Sequence, residues 1–128
     1  MKFHIGLFLL RITVGFTFLL HGLDKFVPGI EETIEYFSSL GLPGFTAYLV
    51  AFVEIVGGLL MILGAATRVV AVLFTFIMLG AIFFANLPEG FLGGYELDLI
   101  LLVVSIHLLL SGSRFLALDS IFSKRRRR

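Results

Sequence analysis

The chain has 128 residues, of which 59% are hydrophobic, with ten basic and nine acidic side chains and a formal net charge of +1. A mean hydropathy of +1.07 places it among integral membrane proteins rather than soluble domains, and no nucleic-acid partner is expected. Cysteine is absent, which excludes a thiol and disulfide relay, a thiolate-held iron–sulfur cluster and covalent haem through a C-x-x-C-H motif.

Four apolar runs, 3–22, 45–66, 69–87 and 95–112, approach the roughly 20 residues that cross a hydrocarbon core of about 30 Å. The expectation is a single transmembrane domain over 1–128, an all-α integral membrane four-helix bundle. The first run carries Arg11 and has no small-residue cleavage site, so it reads as a retained span rather than a leader. Arg11, Gly15, Phe18, Gly22 and Lys25 fall on one helical stripe, with His21 close to its end.

The connection 23–44 holds the first outer loop. Pro28 and Gly29 break the first helix, and Ile30, Ile34, Phe37 and Leu40 then recur at helical spacing opposite Glu31, Glu32 and Glu35. This predicts a short amphipathic helix along the membrane surface, ended by Gly41, Pro43 and Gly44.

In the second run Glu54 shares a face with Gly57, Gly58, Met61, Gly64 and Ala65. Small residues let helix backbones approach closely in lipid, so this stripe is expected to pack on that of the first helix. Counted at 1.5 Å per residue, Arg11 lies roughly 12 Å and Glu54 roughly 16 Å from the cytoplasmic edge, which predicts an intramembrane ion pair between them. An ionisable side chain at such depth is a site hypothesis by default.

The third run ends near Asn86, and in the fourth Glu96, Ile100, Val103 and His107 form one stripe, with Asp98, Ser105 and Gly112 nearly opposite. Glu96 and His107 are expected to look inward. His21, Lys25, Asn86 and Glu96 would then form an outer polar layer and His107 an inner one, able to bind a ligand or relay protons. Bis-histidine haem is disfavoured because His21 and His107 are separated by most of the membrane, and no metal site is expected. Phe16, Phe18, Phe52, Phe74, Phe76, Phe83 and Phe84 are candidates to wall a flat apolar ring such as a quinone.

Lys2, Arg68, Arg114, Lys124 and Arg125 to Arg128 gather on one side of the runs, so both termini are expected in the cytoplasm, with the tail 113–128 near anionic lipid. Glu31, Glu32, Glu35 and Glu89 fall on the other side.

Three segments together resemble the DoxX family of inner (plasma) membrane proteins over residues 7–119. In "LLRITVGFTFLLHGLDKF" the matching positions are Arg11, Gly15, Gly22 and Lys25, and in "FVEIVGGLLMILGAATR" they are Glu54, Gly57, Gly58, Gly64 and Arg68. The ending "GGYELDLILLVVSIHLLLSGSRFLALD" is similar to the family's last helix and terminal turn at Gly112, Arg114 and Asp119, with Ser113 and Ala117 departing from the usual glycine and serine. The resemblance implies a four-helix membrane subunit linked to oxidoreductases, some relatives being subunits of thiosulfate:quinone oxidoreductase. It further implies a quinone or similar lipid-soluble ligand and a redox partner subunit or homo-oligomer. A small proton-coupled transporter using Glu54 and a non-catalytic membrane anchor stay open as alternatives.

Overall fold

The computed structural model describes residues 2–111; Gly112, Arg114, Asp119 and the basic run 124–128 lie outside the described residues, as do the side chains of Phe3 and His4. Five α-helices follow in order, α1 (Lys2–Asp24), α2 (Ile30–Ser39), α3 (Phe45–Leu63), α4 (Thr67–Gly80) and α5 (Glu96–Ser111). Among the described residues four helical stretches are long and apolar enough to cross a membrane, Ile5–Asp24, Phe45–Leu63, Thr67–Glu89 and Phe91–Ser111. The all-α fold and the short helix in the first long connection match the sequence reading. One end of the bundle carries α2, and the other is where α1 begins and α5 ends.

α1 packs chiefly on α3 and α4 on α5. The α1–α3 contact is made by the two small-residue stripes. A Cβ on Gly15 would lie 2.7 Å from the Gly58 carbonyl oxygen, and one on Gly58 would lie 2.6 Å from that of Gly15. Seven residues further along α1, a Cβ on Gly22 would sit 3.0 Å from the carbonyl oxygen of Ala51, seven residues back along α3. The helices therefore run antiparallel in backbone contact. Gly57 turns to the other side, where a Cβ would meet the Phe74 ring of α4 at 2.8 Å. Adjacent faces of α3 thus seat α1 and α4.

Between those helices Val14, Phe18, Met61, Val70, Ala71, Phe74, Met78, Leu101 and Leu108 form the core. Phe18 and Phe74 stack with ring centroids 3.7 Å apart. Both rings are fully buried, so they fill the bundle rather than wall a ligand. Phe16, Phe52 and Phe83 are each more than half exposed and form part of the bundle's apolar outer face.

The turn between the second and third spans falls earlier than the sequence suggested, at 64–66 rather than 67–68. Gly64 closes α3 in the left-handed region (φ 73°), which suits a residue without Cβ. α4 already starts at Thr67.

Beyond Gly80 the third span continues as a π-helical turn, Ala81–Asn86. Pro88 has no N–H to give the Phe84 carbonyl, so the regular ladder is interrupted there and the chain rewinds more widely. The fourth span opens with a turn in which Leu92 (φ −71°, ψ 120°) and Gly93 (φ 72°, ψ 0°) have type II geometry, glycine taking the positive-φ position.

α2 lies over the end of α3 with Ile30, Ile34, Phe37 and Leu40 half-buried and its glutamates exposed, as its spacing predicted. The Thr33 hydroxyl donates to the Lys25 carbonyl at 2.8 Å and ties this helix to the end of α1.

Candidate functional site

A cavity of about 790 Å³ opens at the α2 end of the bundle, within the size range of small-molecule sites. α1 supplies His21, the turn after it Lys25, α3 supplies Glu54, the π-helical turn Asn86, and α5 Asp98; Phe37, Phe76 and Phe84 add aromatic wall. Phe37, on α2, was not among the sequence candidates for that wall.

Glu54 is 2% exposed. Lys25 Nζ stands 2.5 Å from its Oε1. This corrects the expected Arg11–Glu54 pair, and helix geometry gives the reason. The Gly15–Gly58 and Gly22–Ala51 contacts set Glu54 level with Leu19, eight residues along α1 from Arg11, or about 12 Å. Side chains also lean toward the N-terminus of their own helix. Arg11 leans away from Glu54, whereas Lys25 leans down toward it and Glu54 leans up. Arg11 is itself 2% exposed. Its guanidinium carbon lies 5.2 Å from the centre of the Phe8 ring, and it does not line the cavity.

His21 Nδ1 lies 3.0 Å from the Thr17 carbonyl oxygen. A carbonyl only accepts, so Nδ1 carries the proton in this contact and Nε2 is left for a ligand.

Across the cavity Asn86 Nδ2 donates to Asp98 Oδ2 at 2.5 Å. The sequence reading put Glu96 in this layer and Asp98 outside it, and the structure reverses the two. Glu96 Oε1 accepts from the Gly93 N–H at 3.1 Å and holds the turn that starts the fourth span. Asp98 is on the inward stripe with Leu101, Ser105 and Leu108, all three buried. His107 is exposed on the outward face with Ile100 and Val103, so the expected inner polar layer is corrected. α5 is apolar nearly all round, and hydrophobic periodicity could not rank its faces. The signal available was the alignment of the small and polar Ser105 with Asp98, since small side chains mark packed faces in membrane helices.

Of the expected site residues, His21, Lys25, Glu54 and Asn86 therefore meet at one cavity, and Arg11, Glu96 and His107 do not line it. Among the described residues no three histidine or carboxylate side chains converge as a metal-ion ligand set.

Curated relatives cover most of this chain. A Bacillus subtilis protein named "Putative oxidoreductase CatD" is 50% identical over 123 residues, spanning 96% of this chain and 91% of the relative. An uncharacterised membrane protein of Mycobacterium tuberculosis, Rv3486, is 39% identical over 91% of this chain and 80% of its own length. The Escherichia coli inner membrane protein YphA is 37% identical over 58% of this chain and 54% of its own length. No solved structure matches. The DoxX family profile matches residues 6–87, from the first turns of α1 through the π-helical turn that carries Asn86, and this membrane protein belongs to the DoxX family.

Proposed function

We propose that this protein is the membrane subunit of a quinone-linked oxidoreductase system and that the cavity at the α2 end holds the ring of a quinone-type ligand. The observation that carries the reading is the cavity itself, where aromatic side chains and three separate polar groups face one space within a membrane protein. Phe37, Phe76 and Phe84 suit a flat apolar ring, Lys25 suits the oxygens of its oxidised form as a donor, and His21 and the Asn86–Asp98 pair suit the hydroxyls of its reduced form. The name of the Bacillus subtilis relative, an oxidoreductase, supports the same class.

A bound quinone would supply two-electron, two-proton redox chemistry. The chain's own residues would bind and orient it. Lys25, held by Glu54, places a positive charge and N–H donors at the cavity wall. His21 Nε2 can accept or pass a proton there. With no cysteine in the chain, electrons are proposed to arrive from a partner subunit. The α2 end is proposed to face away from the cytoplasm, because Lys2 and Arg68 flank the spans on the opposite side.

Mass spectrometry of the organic extract of protein purified in mild detergent tests the reading. The comparison is a Lys25→Met, Glu54→Gln double variant, which removes the ion pair without stranding a charge. Stoichiometric quinone in the parent and its loss in the variant are expected. An extract of ordinary phospholipid alone, together with no response to added quinone, would sink the proposal.

A further inference from the structure

We infer that the cavity selects the reduced, two-hydroxyl form of its aromatic ligand over the oxidised, two-carbonyl form. This rests on the quinone-type reading and concerns which redox form the site holds. The two forms share ring, size and apolar contacts and differ in hydrogen-bond character: the hydroquinone offers two O–H donors, and the quinone offers only acceptors.

The polar atoms facing the cavity are mainly acceptors. A carboxylate only accepts, so Asn86 must turn Nδ2 toward Asp98, and its Oδ1 is left as an acceptor. Asp98 keeps a second oxygen. His21 gives its Nδ1 proton to the Thr17 carbonyl, which leaves Nε2 a bare acceptor in the neutral ring. Glu54 adds a carboxylate. The carboxylates of Asp24 and Glu32, also on the wall, add acceptors. Against these stand fewer fixed donors: the Lys25 ammonium, which turns one N–H onto Glu54 and keeps two, and the second N–H of the Asn86 amide. The hydroxyls of Tyr36 and Thr46, also on the wall, rotate and serve in either sense.

Against Asn86 Oδ1 and the second Asp98 oxygen a quinone carbonyl would set oxygen against oxygen. A hydroquinone hydroxyl would donate into the same place. Unmet polar groups at a desolvated site are what separate close analogues most sharply.

The test uses the full-length protein in mild detergent, titrated under argon with an alkyl-tailed benzoquinone and with the same molecule reduced to its hydroquinone. Heats are read by calorimetry against detergent alone. The expected result is tighter binding of the hydroquinone by roughly tenfold or more. Asp98→Asn, which replaces an acceptor with a group that also donates, should narrow that ratio. Equal affinity, or preference for the quinone, overturns the selection and leaves the quinone-type reading standing. Failure of both forms to bind overturns both. The parent comparison decides the matter even where the variant does not fold.

Discussion

Lys25 and Glu54 meet from opposite directions, the lysine at the end of α1 leaning back along its helix and the glutamate on α3 leaning toward it, with Nζ and Oε1 2.5 Å apart. The lysine side chain is 21% exposed and the glutamate side chain 3%, so the pair links the cavity mouth to the bundle interior.

Removing one partner of such a pair leaves the other as an uncompensated charge. Lys25→Met alone is expected to destabilise the fold by about 3–5 kcal/mol, and adding Glu54→Gln should recover most of that loss. Unfolding in detergent by SDS titration, followed by circular dichroism, measures the cycle. Additive losses in the double variant would show that the two side chains do not act as a pair.

The α1–α3 contact makes a sharper demand, because the nearest atoms are backbone. A Cβ on Gly58 meets the Gly15 carbonyl oxygen at 2.6 Å and the Leu19 nitrogen at 2.8 Å, neither of which can swing aside. Gly58→Ala should therefore cost about 1–3 kcal/mol as the helices are forced apart. Gly80→Ala is the control, since a Cβ there meets nothing within 4 Å. It should be neutral, or stabilising by up to about 1 kcal/mol through helix propensity. Equal loss in both variants would refute close approach as the cause.

These two contacts also mark how far the sequence could be read. Gly15, Gly22 and Gly58 announced the α1–α3 seam because small residues at helical spacing have one strong use in lipid. The helix of the first loop was legible for a related reason, its glutamates and isoleucines dividing cleanly into two faces. The partner of Glu54 was misread because depth counted from the ends of the runs put Arg11 and Glu54 nearly level, whereas the glycine seam sets them about 12 Å apart, and because side-chain lean was left out. That lean moves the head of a long side chain by several ångströms, enough to favour Lys25 over Arg11. The facing of α5 was illegible for a different reason. Leucine, isoleucine and valine satisfy core and lipid equally, so periodicity could not tell the Asp98 stripe from the Glu96 stripe. The shift that brings Asn86 to Asp98 depends on the π-helical turn ahead of Pro88, and a uniform helical repeat cannot contain such a shift.

Ser105 gives an independent check on the corrected facing of α5. Its hydroxyl is fully buried and finds no hydrogen-bond partner. Ser105→Ala should then be neutral or stabilising by about 1 kcal/mol, since a buried hydroxyl without a partner costs free energy. Ser105→Phe should be strongly destabilising at this packed position, while Val103→Phe on the exposed face is tolerated. The same SDS titration orders the three variants, and a tolerated phenylalanine at 105 would put the other stripe inside.

The proposed orientation can be tested because the chain has no cysteine of its own. Ser38, on α2, and Arg68, at the start of α4, are both exposed and lie at opposite ends of the bundle. A membrane-impermeant maleimide applied to intact cells should label Ser38→Cys. Arg68→Cys should be labelled only after the membrane is opened. Basic residues beside short connections are held on the cytoplasmic side, and Arg68 lies at the start of the third span, next to the turn 64–66. The reverse labelling pattern would invert the protein and turn the mouth of the cavity toward the cytoplasm. A redox partner would then have to be sought among soluble cytoplasmic proteins.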